Sequence, residues 1–395
     1  MADKTLNDIP LEQVHLAQQA ALVRLQLFIT GEVHRLLLKV ADTAVDLLHK
    51  GSKTDPLSAV IVRQVRQNTL NAWAGFITDY TKLVGTGMYI AAAFPFGGLA
   101  VYHHHLVVPV VGEFYESLRP RGVRYLLTEK ETPRAPDGLF KPQLEQVIQA
   151  TYKRVYDDGL NLSGRIWRLD AQTRKGIDQV IYNALAKGLS AWDTAEQLEQ
   201  YLGAGRDCPR WTYKRLTGLT KKDIAGGNKT GLVTGSECDG QGVSYNALRL
   251  ARTEIQAAHH AANDLVFQKM PWVTEEQINL SPAHAEEDEC DEVVEGGRDG
   301  KGIYPKGEIK LPLHPNCLCF KTALLMDNDE FIDKLRGWMG NTGDWVEMDE
   351  YADLVGGSTF VDLAQNGIAM LMDYWLWEAG EAVGALFWQI ADGGL

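Results

Sequence analysis

Cysteine is scarce in this chain. Five thiols among 395 residues form a small and odd set. The opening stretch Met1 to Pro10 is polar and acidic and does not read as a signal peptide. A disulfide framework is therefore not what organises the fold, and a reduced intracellular setting with free thiols or a metal fits better. Positive charge is also in short supply, with 39 Lys and Arg against 52 Asp and Glu, a formal net charge of −13. A sequence-independent DNA binder needs basic residues to displace counterions, so this balance argues against that class. Only Arg165–Lys175 and Lys214–Lys222 concentrate basic residues. One stretch, Leu83–Gly112, lacks Asp, Glu, Lys and Arg altogether and is long enough to cross a bilayer. Pro95, Gly97, Gly98 and His103-His104-His105 interrupt it, so no stable membrane span is expected; burial inside the protein is. Three adjacent histidines point to different faces of any regular element, so they are not read as one ligand set.

What is present is an ordinary globular composition, 45% hydrophobic and 23% charged, enough for two or three structural units. Leu22, Leu25, Ile29, Val33, Leu36 and Val40 recur at helical spacing, which predicts a helix over Leu11–His49. Gly51 and Pro56 stop it, and a second helix is expected over Leu57–Thr81. Such long early helices read as a docking arm that exposes the Leu25, Ile29, Val33 and Leu36 stripe to a partner. Connector sequence follows at Arg119–Gly122 and Glu131–Gly138. Further helices are expected over Phe140–Tyr156, over Asp170–Ala186, and from a Ser190 or Asp193-Thr194 cap to near Gly203. Gly218–Gly242 reads as a loop excursion, and Cys208 and Cys238 as free thiols. A strong helix over Tyr245–Lys269 buries Leu248, Ala251, Ile255, Ala258, Ala262 and Leu265, with Arg252, Glu254 and His259 projecting elsewhere.

The chemistry is concentrated after that helix. Met270-Pro271-Trp272-Val273 opens an extended run toward Leu280. His284 and Cys290 follow, then a Gly-rich turn region, then His314, Cys317 and Cys319. These are five candidates for the four positions of a closed tetrahedral zinc site. Cys290, Cys317 and Cys319 are the best three, with His314 or His284 as the fourth. Two enzymatic readings are weaker. His284-Ala285-Glu286 with Pro315-Asn316-Cys317-Leu318-Cys319 echoes a zinc deaminase, but the cysteines are one residue too close and the proline is displaced. A nucleophilic cysteine with His314 as base is less favoured, because cysteines in a metal-type cluster are normally structural.

After Thr322 the chain turns acidic and reads as a solvated tail with short helices. The last stretch, Gly367–Ile390, carries a helical apolar face with Trp375, and Trp377 and Trp388 add aromatics. Its charges, Asp373, Glu378 and Glu381, are all acidic, so these tryptophans read as anchors on a partner protein and not on an anionic membrane.

Several of these elements occur in a familiar order. Ser163-Gly164-Arg165-Ile166-Trp167 precedes a helix, and Gly188-Leu189-Ser190 opens another. Then come Arg252-Thr253-Glu254, Trp272, the acidic segment with Cys290, and His314-Pro315-Asn316-Cys317-Leu318-Cys319. This resembles the Mu F-like phage minor head proteins over roughly Phe140–Thr322. The resemblance implies a structural protein of a tailed-phage head, not an enzyme, in several copies per virion beside the portal protein and other head proteins. It would be made in the host cytoplasm, act in head assembly and extend to genome delivery, with contact to the phage genome. It also implies that Arg252 and Glu254 form a charge-assisted pair holding their helix against the metal lobe. Many relatives carry a second cysteine three residues after the first; here that position is Val293. The rival functions are a zinc-dependent hydrolase or deaminase and a DNA-binding ejection protein. The fold expected is mainly α with a small α+β Cys/His lobe, elongated and multi-unit. It divides into a helical docking region over 1–135, a Mu F-like domain over 136–325, and an acidic region over 326–395.

Overall fold

A computed structural model describes residues 11, 14–107, 109–110, 141–156, 158–204, 242–281, 284, 287–315, 317–340 and 342–355. Its helices are α1 (Val14–Leu48), α2 (Ala59–Tyr102), α3 (Lys141–Lys153), α4 (Leu162–Ala186), α5 (Ala191–Gly203) and α6 (Val243–Lys269). A small lobe follows, with β1 (Val273–Asn279), α7 (Glu289–Glu295), β2 (Ile303–Pro305) and β3 (Phe320–Leu325). Two short helices close the described chain, α8 (Asn328–Met339) and α9 (Val346–Val355). The protein is mainly helical with one small antiparallel sheet, as the sequence indicates.

Local chemistry sets the helix starts. Asn161 caps α4 by accepting from the Gly164 N–H. Ser190 and Asp193 form a reciprocal capping box on α5, and Asp327 caps α8. The sheet order is β2-β1-β3, with Glu276 of β1 opposite Tyr304 on one side and Ala323 on the other. A bulge between Val273 and Glu275 shifts the register where β1 leaves α6.

One hydrophobic core runs from Val14 on α1 to Tyr351 on α9. The expected docking stripe is part of it: Leu25, Ile29 and Val33 have 0% exposure and Leu36 has 3%. This corrects the reading of α1 and α2 as a docking arm. The stripe is covered by the protein's own helices, with α1 against α2, α5 and α6. The same core crosses the divisions expected near 135 and 325. Residues 326–355 are not a solvated tail. Phe331 and Tyr351 pack edge-on against the buried Trp272, and Trp345 packs on Phe331. The segment with Trp375, Trp377 and Trp388 lies outside the described residues.

The charge-free stretch is buried packing, as expected, but in a helix much longer than predicted. α2 continues past Thr81 to Tyr102 and passes through Pro95 without ending. A proline there has no N–H, which frees the carbonyl of Ala91 one turn back. The buried His259 of α6 meets that carbonyl through Nδ1 at 3.1 Å. Gln18 of α1 donates to the neighbouring Phe94 carbonyl at 3.1 Å. The helix survives its proline because two other helices satisfy the backbone around it. Among the described residues no helix is long and apolar enough to cross a membrane.

If the α1 stripe is core, Ile29→Ala should lower unfolding stability by about 2–5 kcal/mol. Urea titration checks this, and a loss under about 0.5 kcal/mol, the range of surface substitutions, would return Ile29 to the surface.

Candidate metal centre

α7 presents the first sulfur. Asp288 caps it by accepting from the Cys290 N–H, and Asp291 closes the capping box onto the Asp288 N–H. This places Cys290 at a helix N-terminus, facing the loop before β3. The Gly-rich turn behind it needs its glycines. Gly302 has φ +66, and a Cβ there would lie 2.8 Å from the Ile278 carbonyl oxygen. The Tyr304 hydroxyl ties β2 to α7 by donating to the Val293 carbonyl at 2.8 Å. From the other side, the Cys317 N–H donates to the His314 carbonyl in a turn that delivers Cys317 and then Cys319.

The five expected ligands converge. Cys290, Cys317 and Cys319 are buried at 1%, 2% and 1% exposure. The Cys290 and Cys317 sulfurs are 3.7 Å apart. Two thiolates on one tetrahedral zinc, with bonds of about 2.3 Å, are separated by about 3.8 Å. Cys290 Sγ lies 3.2 Å from His314 Nε2. His314 and Cys317 form one ligand-sized group with Cys290, and His284 and Cys319 form another with the same sulfur. A metal could therefore sit in either group, each with two cysteines and one histidine, and Cys290 belongs to both.

Each histidine is held at one ring nitrogen by a neighbour that is not a thiol. His284 Nε2 is 2.6 Å from Asp291 Oδ2, and His314 Nδ1 is 3.0 Å from the Pro315 carbonyl. Such contacts orient the rings as the outer neighbours of metal-binding imidazoles do, and a metal would take the place of the proton that His314 Nε2 shares with Cys290 and Asp288. Charge in the cluster is uneven. Hydrogen bonds from Cys290, Cys319 and His314 pull the Cys317 thiol far below its ordinary range, while Cys317 pushes Cys290 up. Its hydrogen bond to Cys317 raises His314 to about 9. Sulfurs this close ionise together only beside a cation, a charge that a metal ion would supply.

The same geometry weighs against a nucleophilic reading. A thiol–imidazole–carboxylate relay uses opposite ring nitrogens. Here Cys290 Sγ and Asp288 Oδ2 both meet Nε2 of His314, each at 3.2 Å. Glu286, which the deaminase reading needs, and Cys208 and Cys238 lie outside the described residues.

Arg252 and Glu254 do not form the expected pair on the lobe. Arg252 Nη2 donates to Thr30 Oγ1 of α1 at 2.7 Å, and neither Glu254 oxygen has a hydrogen-bond partner. Other residues do that work. Lys321 of β3, at 2% exposure, reaches Asp264 Oδ1 at 2.6 Å, Glu276 Oε1 at 2.9 Å and the Ile309 carbonyl. His260 Nε2 sits 3.0 Å from the Cys319 carbonyl, with Gln256 Nε2 at 3.5 Å from it. The lobe is thus fastened to α6 next to its last cysteine. A lysine in a mostly apolar strand, Phe320-Lys321-Thr322-Ala323-Leu324-Leu325, is the signal the sequence offers for it.

No family model, curated protein or solved structure matches the chain.

Removing the carboxylate behind His284 tests the centre. Asp291→Asn should weaken metal binding by about 10–100-fold. Competition against a colorimetric chelator reads this directly, and an unchanged affinity would exclude His284 from the ligand set.

Proposed function

We propose that this chain is a structural minor head protein of a tailed phage, associated with the portal and acting in head assembly. A zinc ion in the Cys/His lobe clips its fold. The observation that carries the reading is the lobe itself. Cys290, Cys317, Cys319, His284 and His314 stand in the order of the Mu F-like resemblance and form two ligand-sized groups that share the buried Cys290. Zinc is the ion of choice because three thiolates and an imidazole form a soft, tetrahedral donor set. Catalytic zinc keeps an open position for water, whereas burial of all three sulfurs suits a closed structural site.

The three cysteines and the chosen histidine would hold the ion. Asp291 orients His284, and the Pro315 carbonyl orients His314. When bound, zinc supplies folding energy and no chemistry. Passage of the genome is the further role that the resemblance suggests, with the fold as a fixed element beside the portal.

Two measurements test this reading. Purified protein should carry one zinc per chain, and stripping it should unfold the lobe. The tagged protein, expressed with its neighbouring phage genes, should co-purify with portal-containing heads. Zinc-loaded protein that never joins such heads would overturn the assembly role and leave the metal centre standing. Turnover of an ester, peptide or nucleobase substrate that depends on the metal would favour the hydrolase or deaminase reading instead.

A further inference from the structure

Away from the Cys/His cluster, Glu254 is a buried ionisable group with little support among the described residues. It lies on α6 at 0% exposure, and neither carboxyl oxygen closes a well-formed hydrogen bond; the Tyr156 hydroxyl is its nearest hydrogen-bonding neighbour and gives the ionised form only partial support. Two more buried polar atoms near it are also unmatched, the Tyr156 hydroxyl and Arg165 Nε. The groups that face Glu254 come from three directions. Tyr80 approaches from α2, Arg154, Tyr156 and Asp158 from the segment between α3 and α4, and Arg165 from α4. The Tyr80 hydroxyl is already committed, donating to the Ala247 carbonyl at 2.6 Å.

Both arginines are loosely held elsewhere. Arg165 Nη2 and Asp158 Oδ1 are 3.3 Å apart, and Asp158 is shared with Arg168 at the same distance. Arg154 Nη2 donates to the Pro312 carbonyl, also at 3.3 Å. Both guanidinium groups lie over the Tyr156 ring, at 4.6 Å for Arg154 and 3.7 Å for Arg165. Pro312 belongs to the loop that leads to His314 and Cys317. Arg154 is therefore a link between the Glu254 chamber and the metal lobe.

A buried carboxylate with so little hydrogen bonding is favoured in its protonated form, because burial outweighs the pull of Tyr156, Arg165 and Arg154. Once ionised, it would attract the nearest cations far more strongly than a half-exposed aspartate or a backbone carbonyl does. We propose that Glu254 is a proton-operated latch. When neutral, it leaves Arg154 on the Pro312 carbonyl and Arg165 on Asp158. When ionised, it draws both guanidinium groups inward past Tyr156 and releases the loop before His314.

Burial is the main cause that pushes the Glu254 carboxyl up from its ordinary 4.5 to about 7. The sign follows from linkage. Between those two values the folded chain holds a proton that the unfolded chain has released. This group's contribution to stability is therefore full below about pH 4.5 and is lost as the pH rises through about 7. The latch is closed on the acid side of that window and open on the alkaline side.

Hydrogen exchange of the metal-loaded protein tests the latch at residues 309–315. After correction for intrinsic exchange, protection there should fall severalfold as the pH rises from about 5.5 to about 8. Glu254→Gln, which stays neutral, should keep full protection throughout. The infrared band of a protonated buried carboxyl should vanish over the same window and be missing from Glu254→Gln. A pH profile of exchange identical in Glu254→Gln and the parent would overturn the proposal. So would a carboxyl band already lost below about pH 5. Should Glu254→Gln not fold, Arg154→Gln serves in its place. It should leave the loop weakly protected at every pH, and a persisting pH-dependent loss would overturn the idea as well.

Discussion

The structure depends on how α6 is buried. Nearly every side chain from Val243 to Phe267 is out of water, including Arg252, Glu254, Gln256, His259, His260 and Asn263. A helix enclosed on all sides normally reads as apolar all round. This one carries polar groups on every face, so each surrounding element must answer a specific atom. Thr30 of α1 answers Arg252, Ala91 of α2 answers His259, and the Cys319 carbonyl answers His260. Gln26 of α1 reaches Gln256 at 3.0 Å, and Asn263 reaches back to His259 at 3.1 Å. Unmade hydrogen bonds at buried groups cost about 1–3 kcal/mol each, so these contacts fix register as well as affinity. They explain how helices far apart in sequence assemble in one arrangement.

The hydrogen-bond pattern also carries the metal lobe. From Arg252, contacts run through Thr30 to the Gln26 carbonyl, from the Gln26 amide to Gln256, and on to the Cys319 carbonyl. Lys321 adds a charged clamp between β3 and α6, with Asp264 and Glu276 as its counter-ions. Breaking one partner of such a buried ionic cluster costs more than the cluster contributes when whole, because the remaining charge is stranded. The clamp therefore commits the lobe to one docked position. The last cysteine lies two residues from the clamp lysine, so the metal site and the docking contact are held by the same short strand.

Much of this was legible in the sequence, and the exceptions have physical reasons. Periodicity locates α1 and α6, because their apolar stripes are regular, while α4, expected from Asp170, starts at Leu162. Spacing located the five ligand candidates, because short-range cysteine and histidine in turn-rich sequence have few other uses. The stripe through Leu25, Ile29, Val33 and Leu36 was legible as a stripe, but not its partner. An apolar face has the same pattern whether it meets another chain or its own. Pro95 signalled a break, and only tertiary contact from His259 and Gln18 shows why there is none. Arg252 and Glu254, two residues apart, fall on different sides of a helix, so they meet separate neighbours. Residues 326–355 are rich in acids, yet the positions that decide their fate are Phe331, Trp345 and Tyr351.

The lobe's own core explains why a metal belongs there. Its buried residues are Ile278, Leu311 and the three cysteines, supported by partly buried Leu280, Val293, Val294, Tyr304, Ile309 and Leu313. A core this small is below what holds a turn-rich segment in one conformation, and small units of this kind usually add a disulfide or a metal. Disulfide formation would join two of the three sulfurs and leave the third without a partner. A tetrahedral ion uses all three and recruits a histidine that is already oriented. Val293 packs against this core. The three cysteines are thus core residues of the lobe that could serve as ligands as well.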